Sequence, residues 1–328
     1  SKKINYLKIS GFEISKLLPV SGYLKSRIIY FIVLFTKIFK LKKLIYKEKP
    51  DYLIIHLITF VPLLLLYLFS FNTKFILRIS GLPKLTFFRT FFWKKISNKI
   101  YMVTCPSEET KKNLIKFNIF SEEKLKVIYD PILDIKEIQR KSNYKIEKSL
   151  PNEKKYFLNI GRLTKQKNQA LLIHVFSKLV KNNYNLNLYI AGDGEEKKIL
   201  KKMILDRQVQ NNIFLLGYCQ NIFPLIKNSL AVISTSLWED PGAVMIESAY
   251  CNKLVISSNC PNGPEEFLNY GECGYLFKNN DSIDLENKIN QFFNESENVK
   301  FKKAVISKKN SKMYSLFCHY QKLNKILV

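Results

Sequence analysis

The sequence has no C-x-x-C pair. Its six cysteines (Cys105, Cys219, Cys251, Cys260, Cys273 and Cys318) lie scattered over 328 residues. That spacing excludes a disulfide scaffold and the common cysteine zinc sites, and reads as reduced cytosolic thiols. No G-x-G-x-x-G follows the first strand-like run and no Walker A sequence is present, which excludes the two best-known nucleotide fingerprints. The opening Ser1-Lys2-Lys3 carries no signal-peptide apolar region. It also lacks an initiator Met, and the expectation is that some native sequence precedes it. Acidic residues are scarce: 27 Asp+Glu stand against 53 Lys+Arg, for a formal net charge of +26. Such a field favours an anionic partner, whether nucleic acid, anionic lipid or a phosphorylated substrate. No base-reading module is recognisable, so nucleic acid is not the expected partner. What is present is a 47% hydrophobic content and enough length for two domains of ordinary size.

Several stretches admit more than one reading. The run 28–49 pairs an apolar face with Lys37, Lys40, Lys42, Lys43, Lys47 and Lys49. It suits a surface helix packed on its own domain, or one that also touches an anionic membrane. The run 52–71 is long enough to span a bilayer. It divides better into a strand over 51–59, a helix over 61–69 started by Pro62, and a second strand over 74–79. That order fits a βαβ layer. On the first of these strands His56 reads as packed. Phe87, Phe88, Phe91, Phe92 and Trp93 in 82–99 exceed what one helix face can bury. Beside Lys and Arg they suit a membrane interface or a lipid-bearing substrate, nucleic-acid stacking, or a subunit contact.

A strand over 100–105, a helix from Pro106-Ser107-Glu108 and a short strand over 126–129 complete the first series. Residues 134–154 are polar and weakly patterned and read as a linker. A second series follows: strands over 156–160, 187–191, 213–216, 230–233 and 254–257 alternate with helices over 168–180, 195–205 and 221–227 and one from 243. This alternation indicates a parallel sheet covered on both faces.

The chemistry gathers at the strand ends of this second series. Gly161-Arg162-Leu163-Thr164 closes a strand, with Lys165 and Lys167 just beyond. Arg162 can fork onto phosphate oxygens and Lys167 supplies a point charge. Glu239 and Glu247 lie eight residues apart on either side of Pro241-Gly242, one in a loop and one in the helix after it. Strand, loop and helix in that order build a ligand crevice at the carboxyl edge of an open sheet. Together with 192–194 and 217–221, these loops can hold a nucleotide diphosphate, with the two glutamates on hydroxyls. A solvated acidic loop and a solvated basic loop are the plain alternatives.

The ordered motifs G-R-L-T-K-Q-K-N (161–168), I-A-G-D-G (190–194), G-Y-C-Q-N (217–221), E-x7-E (239–247), C-P-N-G-P-E-E-F-L (260–268) and G-E-C-G-Y-L-F (271–277) resemble family 4 of the retaining glycosyltransferases. The resemblance covers 156–292 and implies the GT-B fold: α/β, two Rossmann-like domains facing across a cleft. It implies an N-terminal acceptor-side domain over 1–152, a nucleotide-sugar domain over 153–311, and a C-terminal segment, 312–328, crossing back to the first domain. The implied reaction moves a hexose or N-acetylhexosamine from a nucleotide diphosphate donor, here a UDP-sugar, to a saccharide hydroxyl, with retained configuration and neither metal nor cofactor.

Carried over by motif, Arg162 and Lys167 resemble the diphosphate clamp, with Gly161, Gly192 and Gly194 beside it. Glu239 resembles the acid near the donor sugar, whose hydroxyls Pro241, Gly242, Ala243 and Val244 orient. Glu247 resembles the ribose-binding acid, and Gly217, Tyr218, Cys219 and Asn221 the wall for the base. On the acceptor side, His56 resembles the His that often ends a family strand, and Ser80-Gly81 stands where many members have His-Gly. The usual opening strand and glycine-rich loop are not found, so a missing or divergent first strand is expected. The resemblance and the basic and aromatic stretches imply a lipid-linked or lipopolysaccharide acceptor at an anionic membrane surface, and a peripheral location at the inner face of the plasma membrane. A catalytically silent protein of the same fold is the alternative.

Overall fold

Pro62 settles how the apolar run 52–71 folds. A proline is tolerated in the first turn of a helix, where its absent N–H would have no intrahelical partner. In the computed structural model the run divides into β1 (Tyr52–Ile55) and α2 (Phe60–Leu68), and β2 follows at Lys74–Arg78. No helix among the described residues is long and apolar enough to cross a membrane. The structure describes residues 37–57, 59–145, 150, 155–182 and 184–327. The opening strand and the 28–36 part of the basic helix concern residues outside these. The first described element is a helix, α1, over 37–48. Its Ile38 and Ile45 are buried, while Lys40, Lys43 and Lys47 are exposed.

The chain divides into two compact units, Ser1–Cys105 with Lys111–Val127, and Pro106–Thr110 with Ile128–Val328. This division falls earlier in the chain than the expected boundary at 152/153. In the first unit β1, β2, β3 (Met102–Cys105) and β4 (Leu125–Val127) form a parallel sheet in the order 1-2-3-4. Phe75, Leu77 and Val103 pack with Leu63 and Leu65 of α2 and with Trp93 and Ile96 of α3 (Phe87–Ile96). Thr86 starts α3 by accepting from the Arg89 amide. Only one face of α3 is covered: Phe87, Phe88 and Phe91 are 81%, 82% and 57% exposed. Helix α4 spans Glu108–Lys116.

The polar stretch at 134–154 holds more structure than a linker. Helix α5 (Ile135–Ser142) forms because Asp134 caps it, its carboxylate accepting from the Glu137 amide at 3.1 Å, and because Ile138 is buried. The second unit continues with β5 (Tyr156–Ile160), α6 (Gln169–Lys181), β6 (Asn187–Ala191), α7 (Lys197–Asp206), β7 (Ile213–Gly217), α8 (Phe223–Asn228), β8 (Val232–Ser234) and α9 (Ala243–Tyr250). After these come β9 (Val255–Asn259), α10 (Pro264–Phe267), β10 (Tyr275–Lys278), α11 (Ser282–Asn294), α12 (Glu297–Ser311) and α13 (Leu316–Leu327).

All six strands of this sheet are parallel, in the order β10-β9-β8-β5-β6-β7. Alternate residues feed two cores. Phe157, Leu188 and Ile190 join α6, α7 and α11 on one face. Leu158, Tyr189 and Val232 join α5, α8 and α9 on the other. This double covering explains why these strands read as nearly continuous apolar runs. The strand order reverses direction between β5 and β8. Loops leaving a parallel sheet at such a switch point diverge and open a crevice at the carboxyl edge.

Candidate active site

The loops after β5 and β8 leave the sheet at the switch point, and a charged pair joins them. Lys167 Nζ donates to Glu239 Oε1 at 2.6 Å. Glu239 is only 7% exposed, so the carboxylate is largely removed from water. A buried charge requires a partner and hydrogen bonds, and this one has both, since Ser236 Oγ donates to the same oxygen at 2.5 Å. The backbones of the two loops are stitched as well. The Leu237 amide donates to the Gln166 carbonyl at 2.8 Å, Gln166 Nε2 to the Trp238 carbonyl at 2.9 Å, and Thr235 Oγ1 to the Lys167 carbonyl at 3.0 Å. Arg162 is exposed, and its guanidinium takes no partner among the described residues.

The loop after β6 closes against the loop after β5. The Leu163 amide donates to the Asp193 carbonyl, and the Glu196 amide to the Leu163 carbonyl. This approach leaves no space for side chains at two glycines. A Cβ on Gly192 would lie 1.9 Å from the Gly161 carbonyl oxygen, and one on Gly194 would lie 2.4 Å from that of Leu163. The expected glycines therefore let the loops pack, and Gly161 hydrogen-bonds the end of β6 through its amide.

Gly242, at φ 93°, precedes α9, while Ala243 is exposed and Val244 half-buried at its start. First-turn amides of a helix have no intrahelical acceptor, so they are available to a ligand oxygen. The loop after β9 supports this turn: a Cβ on Gly263 would lie 2.5 Å from the Pro241 carbonyl oxygen. Glu247 follows one turn into α9. Burial pushes its carboxyl up to about 7, a shift that the Lys141 ammonium partly offsets. Its carboxylate takes no hydrogen bond among the described residues, so it keeps acceptor capacity for hydroxyl donors.

The loop after β7 presents an exposed Tyr218, and Cys219 Sγ contacts the Gly217 carbonyl at 3.6 Å. The Asn221 side chain is held by protein partners. Its Nδ2 donates to the Lys141 carbonyl at 2.9 Å and its Oδ1 accepts from the Phe223 amide at 3.2 Å. The side chain thereby ties this loop to the end of α5. Lys141 and Ser236 are the two site residues absent from the sequence-level expectation. A D-x-x-E cap at Asp134 and Glu137 signals the helix that carries Lys141.

The first unit holds its own constellation. His56 Nε2 lies 2.6 Å from Ser80 Oγ. These residues follow the adjacent parallel strands β1 and β2, so two groups separated by 24 positions in sequence meet at one carboxyl edge. His56 is exposed, contrary to the packed position that its apolar strand predicts. Gly81 follows Ser80 in the same loop.

Comparison with known proteins supplies the remaining evidence. The family model for glycosyl transferases group 1 matches residues 140–312. An uncharacterized glycosyltransferase of Methanocaldococcus jannaschii is 34% identical over 248 residues, 70% of this chain and 61% of that protein. The N-acetylgalactosamine-N,N'-diacetylbacillosaminyl-diphospho-undecaprenol 4-alpha-N-acetylgalactosaminyltransferase of Campylobacter jejuni is 24% identical over 232 residues, 68% of this chain and 60% of that one. The chain thus spans about three-fifths of the length of these two relatives. Among solved structures, HepE of Anabaena in complex with UDP aligns with a TM-score of 0.69 at 18% identity, over 88% of this chain and 81% of that one. This last likeness concerns the fold, whose two parallel-sheet α/β units are those expected of GT-B. With more than half of the chain matched by one family model, and the matched residues carrying the loops that meet at the switch point, the chain belongs to the group 1 glycosyl transferases.

Proposed function

We propose that this chain transfers a hexose or N-acetylhexosamine from a UDP-sugar to a saccharide hydroxyl on a lipid-linked glycan, with retained configuration and without a metal ion. The observation that carries the reading is the Lys167–Glu239 pair at the switch point, with an Arg162 guanidinium on the same loop that takes no partner among the described residues. The donor diphosphate binds Arg162 and Lys167, whose charges stabilise the negative charge that builds on the leaving group. Glu247 accepts from the ribose hydroxyls, and the amides opening α9 orient the sugar. The acceptor attacks from the face that the leaving group departs, and a donor phosphate oxygen assists removal of its proton, so no protein nucleophile is required.

The acceptor side rests on the first unit. Where family members carry His-Gly, this chain has Ser80-Gly81, and His56 lies 2.6 Å from the serine hydroxyl. The imidazole is then supplied from the neighbouring strand. A lipid-linked acceptor is supported by the Campylobacter jejuni relative, which is named for transfer onto a diphospho-undecaprenol saccharide. It is supported also by the exposed Phe87, Phe88 and Phe91 beside Lys94 and Lys95 on α3. Aromatic rings enter the interfacial layer of a bilayer, and each nearby Lys or Arg adds roughly 1 kcal/mol on an anionic surface. Peripheral docking at the inner face of the plasma membrane follows.

The test is a turnover screen of UDP-sugars against lipid-linked and soluble saccharides, run with liposome co-sedimentation. Transfer favours the lipid-linked acceptor. Sedimentation requires anionic lipid, falls with added salt, and falls roughly tenfold or more in a Phe88→Ser/Phe91→Ser variant, which removes two inserting rings. Efficient transfer to soluble acceptors without salt-sensitive binding would refute the membrane part. Absence of turnover with every UDP-sugar would favour a catalytically silent protein.

A further inference from the structure

Glu239 is held asymmetrically. Both of its hydrogen-bond donors, Lys167 Nζ at 2.6 Å and Ser236 Oγ at 2.5 Å, bond Oε1. Oε2 takes no hydrogen bond among the described residues. Ser236 is 1% exposed, so water does not compete for its hydroxyl. The residue is itself fixed, because Ser258 Oγ donates to its carbonyl at 2.5 Å and the Ser234 hydroxyl lies 3.4 Å from its own. Ser258 lies on β9, the strand beside β8, so the chain of bonds reaches the sheet. The Glu239 amide donates to the Pro261 carbonyl at 3.2 Å, which fixes the backbone end.

We propose that Ser236 is a positioning residue for glycosyl transfer: by anchoring Oε1 it stops the Glu239 carboxylate from rotating and keeps Oε2 as the acceptor for a donor-sugar hydroxyl. The inference rests on the UDP-sugar reading above. It assigns unequal work to the two oxygens. Lys167 must also serve the donor diphosphate, and as its ammonium turns towards the phosphates Oε1 would lose a donor. The Ser236 hydroxyl keeps that buried oxygen satisfied, as a buried acceptor requires. A polar turn before the catalytic loop is therefore part of how the sugar is oriented.

The experiment compares wild type with Ser236→Ala, the nearly isosteric Ser236→Cys and the hydroxyl-keeping Ser236→Thr. UDP and UDP-sugar affinities are measured by calorimetry and donor kinetics by initial rates. Loss of the hydroxyl in the Ala and Cys variants lowers kcat/KM for UDP-sugar by about 10- to 100-fold. It leaves the UDP dissociation constant within about threefold, because UDP lacks the sugar that Oε2 holds. Thr restores most of the rate. Equal loss of UDP and UDP-sugar affinity in the folded Cys variant would mean that Ser236 only supports the loop, and would overturn the inference. So would unchanged kinetics in Ser236→Ala. Wild-type protein that binds neither UDP nor UDP-sugar would overturn the donor reading itself, and this inference with it.

Discussion

Replacing Lys167 by Ala lowers kcat/KM for the nucleotide sugar by about 100- to 1,000-fold, the effect of removing one preorganised donor from a developing negative charge. The residue has two roles, and the variant loses both. In the proposed reaction its ammonium is the charge offered to the diphosphate, and in the fold it is the cation bonded to Glu239 at 2.6 Å. Removing one partner of a buried pair leaves the other charged and unpaired, which costs about 3–5 kcal/mol when burial is complete, and less here because the Lys167 side chain is 19% exposed. Thermal melts therefore shift along with the rates. The double variant Lys167→Ala/Glu239→Gln separates the two effects. It recovers most of the lost stability, because no unpaired carboxylate remains, yet turns over no faster than Lys167→Ala. Recovery of activity in the double variant would mean that Lys167 serves only the fold.

Glu247→Ala weakens UDP binding by about 1.5–3 kcal/mol through lost hydrogen bonds from the ribose hydroxyls to a charged acceptor. The position also gives donor binding a pH signature. Burial, partly offset by Lys141, places the free carboxyl at about 7. Hydroxyl donors favour the ionised form, so a bound donor lowers that value. Affinity for UDP-sugar, whose diphosphate does not titrate in this range, rises as pH increases towards 7 and levels off above it. Binding below that pH releases a proton, which calorimetry in buffers of different ionisation enthalpy detects. Glu247→Gln flattens the profile. In the free protein the sign is opposite. The folded state holds a proton that the unfolded chain gives up, so this group's share of stability is complete below the ordinary carboxylate range. It is lost as pH rises through about 7. A UDP-sugar affinity that ignores pH between 5.5 and 7.5 would remove Glu247 from the donor's ribose.

Much of the second unit was legible because its motifs mark strand ends. Each of G-R-L-T, A-G-D-G and G-Y-C-Q-N closes a strand of one parallel sheet, so reading the strands also places the loops at one edge. The glycines carried the same information, since Gly192 and Gly194 permit a loop contact that no side chain would allow. Helix α5 was obscured because five of its eight residues are Lys, Glu, Arg or Gln, and the single buried Ile138 sets up no visible period. With it Lys141 was missed, together with the engagement of Asn221. Ser236 was hidden for a different reason. Ser-Thr-Ser reads as a turn, and its part in the site depends on the chain folding back so that Glu239, three residues on, meets it. His56 looked packed because its strand is apolar, yet it stands at the strand's end, where the period-2 pattern no longer governs exposure.

Retaining, metal-independent transfer from a UDP-sugar is the reaction proposed at the Arg162, Lys167 and Glu239 site. The most direct measurement is proton NMR of the glycoside formed from an α-linked UDP-sugar, with EDTA present throughout. An α-anomeric product forms at an undiminished rate in EDTA, and Lys167→Ala forms it about 100- to 1,000-fold more slowly. A β-anomeric product, or a rate that disappears in EDTA and returns with Mg²⁺, would contradict it.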